Sequence, residues 1–153
     1  MTARLDYNTA SPLGMKALGH VYGYVRQSGL DAGLVDLVYL RVSQINGCAY
    51  CIDAHTRDLL KRGVAQDKLT LLPVWREAAA LFGGEEQAAL AWAETVTRVA
   101  VTGIPDADYE AAHRSFDPQR LTDLTIAIGL MNAFNRLGVG FRAVPAAAQQ
   151  GAG

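Results

Sequence analysis

Apolar residues in this chain recur at intervals of three and four, and strict apolar–polar alternation over six or more residues is hard to find. That periodicity builds helices and leaves little from which to make a sheet, so the expected fold is all-α. Ser11-Pro12 reads as an N-cap followed by a proline at the first helical position, opening a helix past Met15, Leu18 and Tyr22 that stops at Ser28-Gly29. The next helix starts near Asp31 and carries Leu34, Val35, Leu37, Val38, Leu40, Val42 and Ile45 to its end at Asn46-Gly47. It is apolar on most sides, the mark of a central, buried element.

A third helix is expected directly after it, with Asn46 as N-cap and with Lys61-Arg62 facing the negative end of its dipole before Gly63. Short helical pieces around 66–72 and 73–80 precede the break at Phe82-Gly83-Gly84. The pattern then predicts one long helix from Glu85 to about Val101, a short one from Ile104-Pro105-Asp106 to Ser115, and a last one capped by Asp117-Pro118 that runs towards Phe141. No repeat or linker divides the chain, so residues 1–142 are expected to form one domain. The Ala/Gln/Gly-rich residues 143–153 are expected to be poorly ordered. The abundant alanine gives each helix a modest apolar payload, which favours burying further surface between subunits.

Composition excludes several classes of function. With 14 Lys+Arg against 15 Asp+Glu, the 153 residues offer no basic footprint for nucleic acid. The longest apolar stretch, Ile126 to Phe134, is broken by Asn132 and falls far short of the ~20 residues that span a bilayer, so no membrane partner is expected. The first residues lack an apolar signal region, which predicts a cytoplasmic, reducing location. Gly83-Gly84 has neither the spacing nor the preceding strand of a phosphate loop.

In a reducing compartment the two cysteines, Cys48 and Cys51, point to catalytic, redox or metal-binding use rather than to a structural framework. Three residues apart on a helix, they share a face at a separation of ~5–6 Å, within the reach of a disulfide. A helix N-terminus stabilises a thiolate, the nucleophilic form. His55 lies one further turn along the same face, with a pKa suited to accepting or relaying a proton. Inert packing of two small core residues is the plain alternative. Zinc held by Cys48, Cys51 and His55 is another, with Asp36 or His20 as the available fourth ligands. Asn132 and Asn135, on the apolar last helix, either line a site or form a structural hydrogen-bond network. Arg41, two turns before the cysteines, either raises the local positive potential there or pairs with Glu94 or Asp36. His20 and His113 read as surface histidines, and Trp75 and Trp92 as core or subunit contacts.

The segment from Leu40 to His55, LRVSQINGCAYCIDAH, resembles the core motif of the AhpD-like alkylhydroperoxidase branch of the carboxymuconolactone decarboxylase superfamily, and a looser likeness extends to Asn132-x-x-Asn135-Arg136. The resemblance implies an all-α helical bundle that assembles as a homo-oligomer, a trimer or hexamer. It implies reduction of a peroxide substrate without a cofactor or metal, through a Cys-x-x-Cys pair assisted by a histidine and an upstream carboxylate. Here these are Cys48, Cys51, His55 and Asp36. A dithiol or disulfide protein would supply the electrons. Two positions depart from the family pattern: Asp36 stands for a glutamate, and Tyr50 stands where the best-known members have a histidine directly before the second cysteine. Decarboxylase members lack the cysteine pair, so its presence points away from lactone decarboxylation.

Helix-dipole placement favours Cys48 as the attacking sulfur, and proximity to His55 favours Cys51. The assignment taken is Cys51 as attacker, Cys48 as resolving thiol, His55 as proton acceptor and Asp36 as its orienting partner. A non-enzymatic redox sensor or adaptor with a switchable dithiol is the second class of function that the same residues allow.

Overall fold

The structure, a computed structural model, describes residues 2–149, and it is helical throughout with no strand among them. Its centre is α3, Ala32–Asn46, in which every residue from Leu34 to Ser43 is buried. The Asp31 carboxylate caps it by accepting the Leu34 N–H at 2.8 Å. Burial on all sides follows from its position between two cores. Val35, Val38 and Val42 pack with Val25, Trp92, Leu124 and Ile128, whereas Leu37 and Leu40 pack with Leu59, Leu72, Trp75 and Leu90. The sequence expectation of a central helix is met for this reason.

Three helices surround α3: α4 (Ala49–Lys61), α6 (Gly84–Thr97) and α9 (Pro118–Gly140). α9 is capped by Asp117, whose carboxylate accepts the Arg120 N–H at 2.9 Å. α2 (Pro12–Gln27) lies along α9 and buries only Val25 fully. Between α4 and α6 the chain forms α5 (Gln66–Leu71) and two 3₁₀ turns, Leu72–Val74 and Ala79–Leu81. α7 (Val99–Thr102) and α8 (Asp106–His113) connect α6 to α9. No helix among the described residues is long and apolar enough to cross a membrane.

The structure differs from the sequence expectation in four places. Asn46 is the last residue of α3 rather than the cap of α4; Gly47 turns the chain in the left-handed region at φ 70°, and Cys48 becomes the N-cap. The long helix expected to reach Val101 ends at Thr97; the Thr102 hydroxyl donates to the Thr95 carbonyl at 2.8 Å, and the β-branched residues Thr95, Val96, Thr97, Val99, Val101 and Thr102 on either side of Arg98 weaken a continuous helix there. Ser11 occupies the cap position of α2 without a capping hydrogen bond. It follows a short helix, α1 (Tyr7–Ala10), that Asp6 caps instead. The tail past Ala143 carries α10 (Ala146–Gln149), where the Ala147 N–H donates to Asp53 Oδ2 at 3.1 Å; residues 150–153 lie outside the described part.

Candidate active site

The turn from α3 into α4 sets the two sulfurs. Cys48, in extended conformation at the N-cap, points its Sγ back over the first turn, where it accepts the Cys51 N–H at 3.3 Å. Cys51 lies inside the helix, and the two residues are joined as a disulfide with Cα atoms 5.4 Å apart. Their surroundings differ: Cys48 is 0% exposed, sealed against α9, and Cys51 is 6% exposed. A pocket of about 180 Å³ opens over Cys51 and His55. Tyr7, Tyr22, Tyr50, Met131 and Phe134 give it an apolar, largely aromatic wall. Cys48 does not reach this pocket.

α9 passes close behind the pair because Gly138 has no side chain. A β-carbon there would stand 2.8 Å from Cys48 Sγ and 3.6 Å from Cys51 Sγ. Residue type at this point is dictated by the sulfurs.

His55 is buried one turn beyond Cys51, and its Nδ1 has no hydrogen-bond partner among the described residues. Burial pushes its pKa below the ordinary histidine value, against the opposing charges of Asp36 and Asp58. The imidazole is thereby held neutral at neutral pH, the form able to accept a proton. Its ring packs on Tyr39 with centroids 5.2 Å apart, and Tyr39 packs on Tyr22 at 6.1 Å. Burial also raises the Tyr39 pKa, and its hydroxyl is likewise without a partner.

Asp36 is wholly buried and charge-paired on both oxygens. Oδ1 accepts from Arg26 and Oδ2 accepts from Arg62 Nε at 2.7 Å. No hydrogen bond joins Asp36 to His55; the carboxylate acts on the imidazole through its field. Arg26 also donates to the Tyr22 hydroxyl at 2.7 Å and lies over the Tyr22 ring, 4.9 Å from its centroid, so one guanidinium ties Asp36 to the aromatic wall.

The remaining candidates fall away from the pocket. Asn46 donates to Asn132 Oδ1 at 3.0 Å and to Asn135 Oδ1 at 2.9 Å, and Asn135 donates to Ser43 Oγ at 2.9 Å, a network that stitches α3 to α9. Arg41 pairs with Glu94 at 2.8 Å, and Glu94 also accepts from Trp75 Nε1 at 3.0 Å. His20 and His113 are exposed, and Trp75 and Trp92 are buried. Among the described residues no group of three or more His, Cys, Asp and Glu side chains is disposed to hold a metal ion.

Sequence reasoning did not find Arg26, Arg62, Tyr39 or Gly138. The arginines reach Asp36 from 10 and 26 residues away, separations with no helical signature. Gly138 did carry a signal: a glycine inside a helix costs stability unless something must approach closely.

Known proteins resemble this chain in sequence and in fold. The pattern of the Carboxymuconolactone decarboxylase family matches residues 12–95. The chain is 34% identical over 139 residues to the uncharacterized protein YdfG of Bacillus subtilis, covering 91% of this chain and 94% of that one. It is 40% identical over 60 residues to the alkyl hydroperoxide reductase AhpD of Koribacter versatilis, a match of 39% of this chain and under a third of that enzyme's length, 30%. A crystal structure of a protein of unknown function from Agrobacterium tumefaciens, linked to AhpD and antioxidant defence, superposes with a TM-score of 0.90 at 38% identity over 94% of this chain and 98% of that one. With its all-α fold and its Cys-x-x-Cys pair at the head of α4, the chain belongs to the carboxymuconolactone decarboxylase family, on the AhpD-like side.

Proposed function

We propose that this protein is a thiol-dependent hydroperoxide reductase in which Cys51 attacks and Cys48 resolves. The observation that carries the reading is the asymmetry of the pair: Cys51 and His55 face an apolar pocket together, and Cys48 is shut behind them within bonding distance. In the reduced protein, His55 accepts the Cys51 proton, and the thiolate attacks the terminal peroxide oxygen. The O–O bond breaks, Cys51 becomes a sulfenic acid, and the departing alkoxide takes a proton to leave as alcohol. The Cys48 thiol then condenses with the sulfenic acid, forming the disulfide and releasing water.

The same asymmetry fits the return half-reaction. An external thiolate reaches the sulfur that faces the pocket, Cys51, and Cys48 leaves. Its position at the α4 N-cap, beside the free N–H groups of the first turn, stabilises the departing thiolate, and a stabilised thiolate leaves faster. The second thiol of the donor then releases Cys51, so the dithiol is oxidised as the protein is reduced.

Asp36, fixed by two arginines, acts in this reading as a positioning charge for His55.

The test is turnover. Reduced protein should lose two thiols per chain on stoichiometric hydroperoxide and consume peroxide catalytically with dithiothreitol as donor. Oxidation taking hours, with no catalytic consumption, would favour a redox sensor instead.

A further inference from the structure

Tyr7 stands in the walls of two cavities at once. One is the pocket over Cys51 and His55; the other is an apolar groove of about 520 Å³ lined by Leu5, Met15, Leu18, Leu137 and Phe141. Tyr7 is the only residue lining both among the described residues. It is held in place from several directions. Arg4 ties the N-terminal arm to the end of α9, its N–H donating to the Phe141 carbonyl at 2.9 Å and its Nη1 to the Gly140 carbonyl at 2.9 Å. The Tyr7 ring packs on Phe141 with centroids 6.1 Å apart, and Asp6 caps the short helix that carries it.

We infer that Tyr7 is a specificity-determining residue that sets the length of hydroperoxide admitted to Cys51, by partitioning the reaction pocket from the apolar groove. The inference rests on the hydroperoxide reductase reading of Cys51. With Tyr7 present, a substrate must fit within the smaller cavity, which selects compact organic hydroperoxides. Without its ring the two spaces join, and an unbranched hydrocarbon chain can lie along Leu18 and Leu137 with its reactive end at Cys51. Each methylene buried in that way strengthens binding by about fourfold, so a chain of a few carbons in the groove is a large effect.

The experiment compares wild type, Tyr7→Ala and Tyr7→Phe, each shown to be folded by its melting curve. Two electrophiles with the same reactive group, iodoacetamide and N-octyl iodoacetamide, are applied to reduced protein, and modification of Cys51 is followed by peptide mapping. The expected result is that Tyr7→Ala raises the rate ratio of octyl to parent reagent about tenfold, whereas Tyr7→Phe, which keeps the ring, leaves it within about twofold of wild type. An unchanged ratio in Tyr7→Ala overturns the inference.

The alkylation measurement does not depend on peroxide turnover, so the two claims separate. A parallel assay uses tert-butyl hydroperoxide and a long-chain fatty acid hydroperoxide with dithiothreitol. A changed alkylation ratio with neither hydroperoxide reduced leaves Tyr7 as the partition and removes the reductase reading. Turnover of the compact substrate with an unchanged alkylation ratio does the reverse.

Discussion

The backbone of α9 at Gly138 lies so close to Cys48 that a β-carbon there would stand 2.8 Å from its sulfur. The helix and the redox pair are thus built against each other. In an unobstructed helix interior, Gly→Ala stabilises by about 1 kcal/mol. Here Gly138→Ala should destabilise instead, by about 1–3 kcal/mol, because neither the helix backbone nor the capping sulfur has room to yield. For a chain of this size that is a fall in melting temperature of roughly 2–12 °C. A rise in melting temperature would show that the contact relaxes freely.

His55 gives a pH dependence whose sign is fixed by burial. Its folded pKa lies below the ordinary value of 6.5. Between the two values the unfolded chain binds a proton that the folded chain does not, so stability rises with pH through that window. The contribution is fully present above about pH 6.5 and is lost as pH falls towards the folded pKa. Oxidation of the reduced protein by hydroperoxide should show the same signature, with its acidic limb below pH 6.5. An NMR titration of His55 locates the pKa directly, and a value above 6.5 would contradict the account.

Asp36 acts on that titration from a distance. Its carboxylate raises the His55 pKa against the burial that lowers it, so Asp36→Asn should move the pKa further down and carry the acidic limb of the rate with it. The substitution also strips Arg26 and Arg62 of their shared anion. Removing one partner of a buried pair costs about 3–5 kcal/mol, and the partial exposure of both arginines should reduce this to about 2 kcal/mol. Denaturant melts measure the stability loss. An unmoved His55 pKa would leave Asp36 a purely structural residue.

Asn46 holds the end of α3 to α9, one residue before the turn that presents Cys48. Asn46→Ala removes the donor to Asn132 and Asn135 and leaves the buried Asn135 oxygen without that partner. A loss of about 1–3 kcal/mol is expected in urea melts. Because the asparagines do not line the pocket over Cys51, the first oxidation step should change far less than stability does.

The parts of this fold that sequence made legible are those governed by local periodicity. The apolar positions of α3 announced a helix buried on all sides, Asp117 announced its own cap, and the spacing of Cys51 and His55 announced side chains one turn apart on α4; Cys48, expected on the same face, is the N-cap and lies against α9 instead. What it did not announce depends on partners distant in sequence. Asn46 has the chemistry of an N-cap, and tertiary contact with α9 draws its amide away, leaving that place to a cysteine. Asp36 was legible as a carboxylate near the site, but the two arginines that occupy it come from the end of α2 and the residue after α4. The burial difference between Cys48 and Cys51, on which the proposed division of labour rests, is set by α9 and has no counterpart in a motif.

The division of labour between the sulfurs is tested most directly by trapping the sulfenic acid. Reduced Cys48→Ser and Cys51→Ser proteins are each mixed with one equivalent of hydroperoxide in the presence of dimedone, and the adduct is mapped by mass spectrometry. The account predicts a single dimedone adduct on Cys51 in the Cys48→Ser protein and none on Cys48 in the Cys51→Ser protein. An adduct on Cys48 formed at a comparable rate would contradict it.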